Sequence, residues 1–271
     1  MTPAPSVPNL RQGALDALAL PSPANKVAAV AALSGNGGTA AISAARVITL
    51  QAPIPGRPAR PELVHPAKVP KRSPASPEGR AALLHAIAHI EFNAINLALD
   101  AIWRFAGMPD DFYLDWLRVA KEEAYHFTLL RDHLQTLGHD YGNFPAHDNL
   151  WQMCERTQDD VLARMALVPR TLEARGLDAT PQIQAKLRQV GTPDALQAVD
   201  ILNIILRDEV GHVTIGNHWY RWLCKREGLD PVAHYGVLVE RHGAPRLHPP
   251  FNEEARRRAG FSDEELAFLR G

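Results

Sequence analysis

The sequence predicts an all-α protein built around a four-helix bundle, and three observations predict it. Four stretches of about 25 to 35 residues repeat apolar side chains at spacings of three and four. Helix start and stop signals punctuate each of them. No segment alternates apolar and polar residues as a strand does. At 1.5 Å per residue, helices of this length run roughly 37 to 50 Å, the scale of a four-helix bundle.

Residues 1–50 allow two short helices, Leu10 to Leu20 and Ala24 to Leu33, followed by the small-residue stretch SGNGGTAAISAA. Residues 51–77 carry eight of the 22 prolines and few large apolar residues, so an extended strap lying on another surface, or a linker, is expected there. The bundle is expected over 78–228. Its first helix takes Ser76 as cap and Pro77 as first residue and stops near Phe105, before Gly107. Its stripe reads Leu84, Ile87, Glu91, Ala94, Ala98, Ile102, Phe105. The second helix opens at Asp110-Asp111, where acidic residues suit the positive end of the helix dipole, and stops before Gly138. Its stripe is Trp116, Ala120, Glu123, His126, Leu130, Leu134, Leu137.

After a loop from Gly138 to Asp148 a third helix is expected to about Arg175, with Leu162, Ala166 and Glu173 in line, a kink at Pro169 and a stop at Gly176. A short helical piece spans Pro181 to Val190. The fourth helix opens at Thr192-Pro193-Asp194 and ends before Gly228, with the stripe Leu202, Ile205, Glu209, His212, Gly216, Trp219, Leu223. The tail, 229–271, is expected to pack on the bundle and to hold one short helix, SDEELAFL, capped by Ser262.

Composition narrows the function. With 46% hydrophobic and 22% charged residues among 271, the chain can build a full core. Its 29 Lys and Arg against 30 Asp and Glu give a formal charge of -1, so the global positive field of a nucleic-acid binder is missing and nucleic acid is not an expected partner. Cys154 and Cys224 are too few for a disulfide framework or a CxxC site. The N-terminus lacks the pattern of a secretory signal and no run of 18 apolar residues occurs, so the expected setting is the cytoplasm, away from membranes.

Glutamates and histidines fall inside the apolar stripes, where an unpaired charge costs several kcal/mol. The arrangement repeats. Glu91 precedes the Glu123-x-x-His126 pair by 32 residues, and Glu173 precedes the Glu209-x-x-His212 pair by 36. Residues i and i+3 share a helix face, so each pair aims a carboxylate and an imidazole at one point. Four carboxylates cannot share a dry interior alone, whereas two divalent cations would neutralise and bridge them. A set rich in oxygen, supplemented by nitrogen and lacking thiolate, suits iron or manganese better than structural zinc.

This order, Glu, Glu-x-x-His, Glu, Glu-x-x-His, resembles that of the di-iron carboxylate ferritin-like bundles. The phrases HAIAHIEFNAINLALDAIWRF, EEAYHF, RTLEARGLDATP and RDEVGH, with HPPFNEEARRRAGF in the tail, resemble more narrowly a bacterial ferritin-like family of unknown function, over roughly Pro55 to Phe261. The resemblance implies a ferritin-like fold and a metal site but no substrate. A more distant similarity links the group to tRNA hydroxylases, as an analogy of fold.

Several other residues compete with these six. Glu62-x-x-His65 lies between Pro61 and Pro66, where no helix can align it, and reads as coincidence. Glu122 stands four before His126, but the fourth helix favours the three-residue spacing and hence Glu123. Asp208 and Glu122 read equally as acceptors for imidazole N–H groups or as solvated flank charges. Tyr125 points away from the metal line and is expected to pack. His85 and His89 fit the stripe less well than Glu91 and are expected to hydrogen-bond in the core or at the surface. Gly211 and Gly216 cost about 1 kcal/mol each against alanine, which suggests a close approach or a π-bulge. Arg256-Arg257-Arg258 reads as a solvated basic tail.

The expected function is an O2-activating di-iron oxidase or hydroxylase, with two iron ions, or manganese or a mixed pair, held by Glu91, Glu123, His126, Glu173, Glu209 and His212. Its partners would be O2, a small organic substrate and an electron donor, and the chain would be a monomer or homodimer. The alternatives are iron handling by ferroxidation or buffering, which calls for a large symmetric assembly, and hydroxylation of tRNA.

Overall fold

A computed structural model describes residues 9–35, 42–49, 53–69 and 73–270. The first eight residues, 36–41 of the small-residue stretch, residues 50–52, residues 70–72 of the Pro-rich strap and residue 271 lie outside the described residues. The described chain is helical, and its only strand-like feature is an isolated bridge between Leu63 and Ala146. It divides into two compact units, one of Met1–Pro70 with His85–His147, the other of Lys71–Leu84 with Asp148–Gly271.

In the first unit α1 (Leu10–Leu18) begins at Asn9, whose side chain accepts from the Gln12 N–H, and α2 (Pro23–Ala32) takes Ser22 as cap and Pro23 as first residue. Helix α3 (Pro77–Arg104) starts where the Ser76 hydroxyl accepts from the Gly79 N–H, and its residues from His85 onward belong to this unit. The chain leaves it through Gly107, whose φ of 77° is the left-handed region open to glycine. Helix α4 (Asp110–Thr136) carries the expected acidic first turn. By length and composition α3 could cross a membrane, but most of it is buried in the protein, as in a core helix. The Pro-rich strap is pinned to the loop after α4: the Val64 N–H donates to Ala146 O at 2.8 Å and the Ala146 N–H to Glu62 O at 3.0 Å.

Two buried cations tie the N-terminal helices to this core. Arg11 donates to Ile102 O and Trp103 O, carbonyls of the last turn of α3, and to Ser43 O and Ala44 O. Lys26 sends its three donors to Leu18 O, Gly56 O and Asn96 Oδ1 and lies over the Phe92 ring. Burial lowers its pKa from 10.5 to about 7, with a smaller contribution from Arg57. Between those values the unfolded chain binds the extra proton, so the group makes stability rise with pH across that window and contributes no slope below it. Wild-type protein is therefore expected to gain about 2 kcal/mol on Lys26→Met between pH 7 and 9 in urea unfolding; an unchanged difference would contradict the assignment.

The second unit corrects the expected third helix. In place of one helix to Arg175 there are α5 (Asn149–Arg156), α6 (Val161–Leu167), a π-helical segment Val168–Glu173, and α7 (Ala174–Val190). A new start intervenes at Asp160, whose side chain accepts from the Ala163 N–H. Pro169 falls in the π segment, where the wider turn takes the place of a simple kink. Gly176 does not stop the helix, since its neighbours stay helical through Pro181, and the separate piece expected at Pro181 is the end of α7. The true stop is Gly191, at φ 68°.

Helix α8 (Pro193–Glu227) matches the expected fourth helix and packs along α6, the π segment and α7. It stays α-helical through Gly211 and Gly216, so the π turn lies in its neighbour. A Cβ on Gly216 would sit 2.6 Å from Pro169 Cβ and 2.7 Å from its Cγ, which makes this glycine the seat of the proline. Around Gly176 nothing lies within 4 Å. The same change then has opposite signs: Gly216→Ala is expected to destabilise by about 1 to 2 kcal/mol through overpacking, and Gly176→Ala to stabilise by about 0.5 to 1 kcal/mol. Thermal melts of both variants check the pair, and equal shifts would refute the packing argument.

The tail holds more structure than the one helix expected: α9 (Pro231–Arg241), α10 (Glu253–Arg258) and α11 (Asp263–Arg270). Asp230 and Asn252 cap the first two with their side chains. Ser262 and Glu265 cap the third reciprocally, each side chain accepting from the other's N–H. Ala255, Ala259, Phe261 and Leu266 pack with Ala174, Leu177 and Val213, so the tail closes the core of this unit. Arg256 is buried and paired with Asp178 at 2.6 Å, which corrects the expectation of a solvated arginine run.

Candidate metal centre

In the first unit the stripes of α3 and α4 carry Glu91, Glu123 and His126 to one place. All three are buried, Glu123 and His126 completely. His126 Nδ1 donates to Glu91 Oε2 at 3.2 Å and lies 3.4 Å from Glu123 Oε2. One ligand atom from each can be chosen so that all lie within 4.8 Å of one another. The i, i+3 spacing works as physics requires: both side chains of the pair leave α4 on the same face. Burial by itself would lower the pKa of His126, but hydrogen bonds to Glu123 and Glu91 and their charge push it up to about 11. Two carboxylates and an imidazole, without thiolate, form a donor set that can hold a metal ion.

The second unit repeats the motif. On α8, Glu209 and His212 are buried, with His212 Nδ1 3.6 Å from Glu209 Oε1. Glu173, also buried, is the last residue of the π segment. The expected line from Leu162 and Ala166 to Glu173 therefore crosses from α6 into the wider π turn before reaching the carboxylate.

The residues around Glu173 carry no site pattern in the sequence. Arg170, one turn earlier, is buried and ion-paired with Glu265 at 2.9 Å. Thr171 shares a 2.8 Å hydrogen bond with the Tyr235 hydroxyl. The signal in the sequence was the Ser262-x-x-Glu265 capping box, which places a glutamate at a defined point in the tail without saying what it meets.

The competing residues separate clearly. Glu62 and His65 are exposed, and His65 Nδ1 accepts from the Ala67 N–H. Glu122 pairs with Arg118 and Asp208 with Arg207. His89 binds the Tyr141 hydroxyl at 2.8 Å and His147 O at 3.1 Å, and His85 Nε2 accepts from the Gly142 N–H, so both are core hydrogen-bonding groups. Burial lowers the pKa of His85 to about 4 and that of His89 to about 3. Tyr125, expected to pack, is half exposed beside the His126 ring. Cys154 and Cys224 are buried and not joined in a disulfide.

These features define an all-helical protein with a buried carboxylate and imidazole group fit to hold a metal. A family model described as a protein of unknown function (DUF455) matches residues 19–267, and the chain belongs to that family. It is similar to an uncharacterized protein of Haemophilus influenzae, 52% identical over 219 residues that cover 78% of this chain and 75% of that protein. No solved structure matches it.

Proposed function

We propose that the chain is a ferritin-like four-helix bundle in which Glu91, Glu123, His126, Glu173, Glu209 and His212 hold two iron ions, and that it is an O2-activating oxidase or hydroxylase of an organic substrate. One observation carries the reading: the Glu-x-x-His pair on α4 is buried with Glu91 in a single donor cluster, and α8 repeats the pair with both members buried. A single buried ion pair has many structural uses, but a repeated one with a lone glutamate before each copy matches the ligand count of a two-metal site.

Bound iron would supply one-electron chemistry toward O2 and open coordination positions. The chain's own residues supply the rest. Four carboxylates balance the charge of two divalent ions, and the two imidazoles must be neutral to ligate, so metal binding is expected to be pH-dependent. Phe92 and Phe127, each next in sequence to a proposed ligand, are buried with their ring centres 5.3 Å apart.

The test is anaerobic titration with Fe(II) followed by exposure to O2, with native mass measured in parallel. The expected result is two irons bound per chain, both oxidised on adding O2, in a monomer or dimer. A closed particle of many subunits would support iron storage instead. Absence of divalent-metal binding would refute the metal centre.

A further inference from the structure

A π segment makes poorer backbone hydrogen bonds than an α-helix, so its surroundings must hold it. Here the surroundings are α8, on whose Gly216 Pro169 is seated, together with α9 and the tail. Arg170 donates to Asn217 Oδ1 at 2.6 Å and pairs with Glu265 Oε1 at 2.9 Å. Its guanidinium lies 4.7, 5.1 and 5.4 Å from the ring centres of Phe261, Tyr220 and Tyr235. Arg221 and the Ser262 N–H donate to the other oxygen of Glu265. Thr171 is bonded to Tyr235, and Arg256, paired with Asp178, donates to Ala174 O at 3.3 Å. Glu173 therefore sits between two residues, Thr171 and Ala174, that are each tied to the tail or to α9.

We infer that the C-terminal segment from Asn252 to Arg270 is a latch that sets the direction of the Glu173 carboxylate, with Glu265 and Arg170 as its positioning residues. The inference rests on the metal-site reading of Glu173. A buried Arg–Glu pair is a costly way to fill space, since apolar residues of similar volume often stabilise as well or better. Its geometry does what apolar packing cannot: the planar guanidinium, held by Asn217 and Glu265 and boxed by three rings, fixes the rotation of the backbone one turn before the ligand. Without it, the π turn is free to relax toward α geometry, which changes the face that Glu173 presents.

The test compares Glu265→Gln with Glu253→Gln, whose exposed carboxylate pairs with Arg257 and Arg270 on the same segment. Mn(II) binding and amide hydrogen exchange are measured on the full-length protein. For Glu265→Gln the expected results are one Mn(II) bound at least tenfold more weakly, the other unchanged, and exchange across 168–174 at least tenfold faster. Glu253→Gln is expected to match wild type in both. Unchanged Mn(II) affinity and exchange in Glu265→Gln would overturn the latch. If wild type binds no Mn(II), the metal-site reading fails, and the latch stands or falls on exchange alone. If Glu265→Gln does not fold, Arg221→Gln removes only the outer partner. A severalfold rise in exchange over 168–174 is then expected, and no rise overturns the latch.

Discussion

Glu123→Ala and His126→Ala are each expected to abolish stoichiometric binding of two divalent ions, weakening the first-unit position about a hundredfold or more. The effect is large because the cluster is buried. Glu123 is fully buried against His126, out of reach of bulk solvent, so a lost ligand is not replaced at low cost. Glu62→Ala should bind as wild type does, since the Glu62-x-x-His65 copy is exposed and His65 is engaged with its own backbone turn. Metal analysis after gel filtration reads all three. Two ions per chain retained in both cluster variants would remove Glu123 and His126 from the ligand set.

Arg11→Ala is expected to cost about 3 to 5 kcal/mol, the largest stability loss for a single residue outside the cluster. The last carbonyls of any helix lack partners within the helix. For α3 two of them, at Ile102 and Trp103, are satisfied by one guanidinium from α1, which also binds Ser43 O and Ala44 O. Truncation leaves these acceptors buried and removes the cation that favours the negative end of the helix dipole. Arg11→Lys keeps the charge but cannot reach four carbonyls in two directions, so an intermediate loss is expected. Urea unfolding measures both, and a loss under about 1 kcal/mol for the alanine variant would show that water replaces the guanidinium.

Much of this was legible in the sequence wherever a local rule coincided with the tertiary demand. Ser76-Pro77, Asp110-Asp111 and Thr192-Pro193 marked the starts of the three longest helices, because capping and proline's fixed φ act within a few residues. The four buried members of the Glu-x-x-His pairs were readable because they broke otherwise apolar stripes. The third helix misled for the same reason. Pro169 and Gly176 are local signals for a break, yet the chain absorbs the proline in a π turn seated on Gly216 and carries the glycine through unbroken. That outcome depends on what packs against the segment, which no local pattern encodes.

The tail was the least legible part. Its arginines look solvated by composition, but Arg256 finds Asp178 across 78 positions of sequence, and Glu265 finds Arg170 across 95. Pairings of this kind are set by tertiary contact, so a residue count could not supply them. Gly260, with φ at 90°, makes the turn that lets α11 return toward the π segment.

The most direct test of the central claim is metal-edge anomalous scattering from crystals of protein loaded with Fe(II) under anaerobic conditions. Two peaks, one ligated by Glu91, Glu123 and His126 and the other by Glu173, Glu209 and His212, are the predicted result. A single peak elsewhere, or none with His126 still bonded to Glu91, would contradict it.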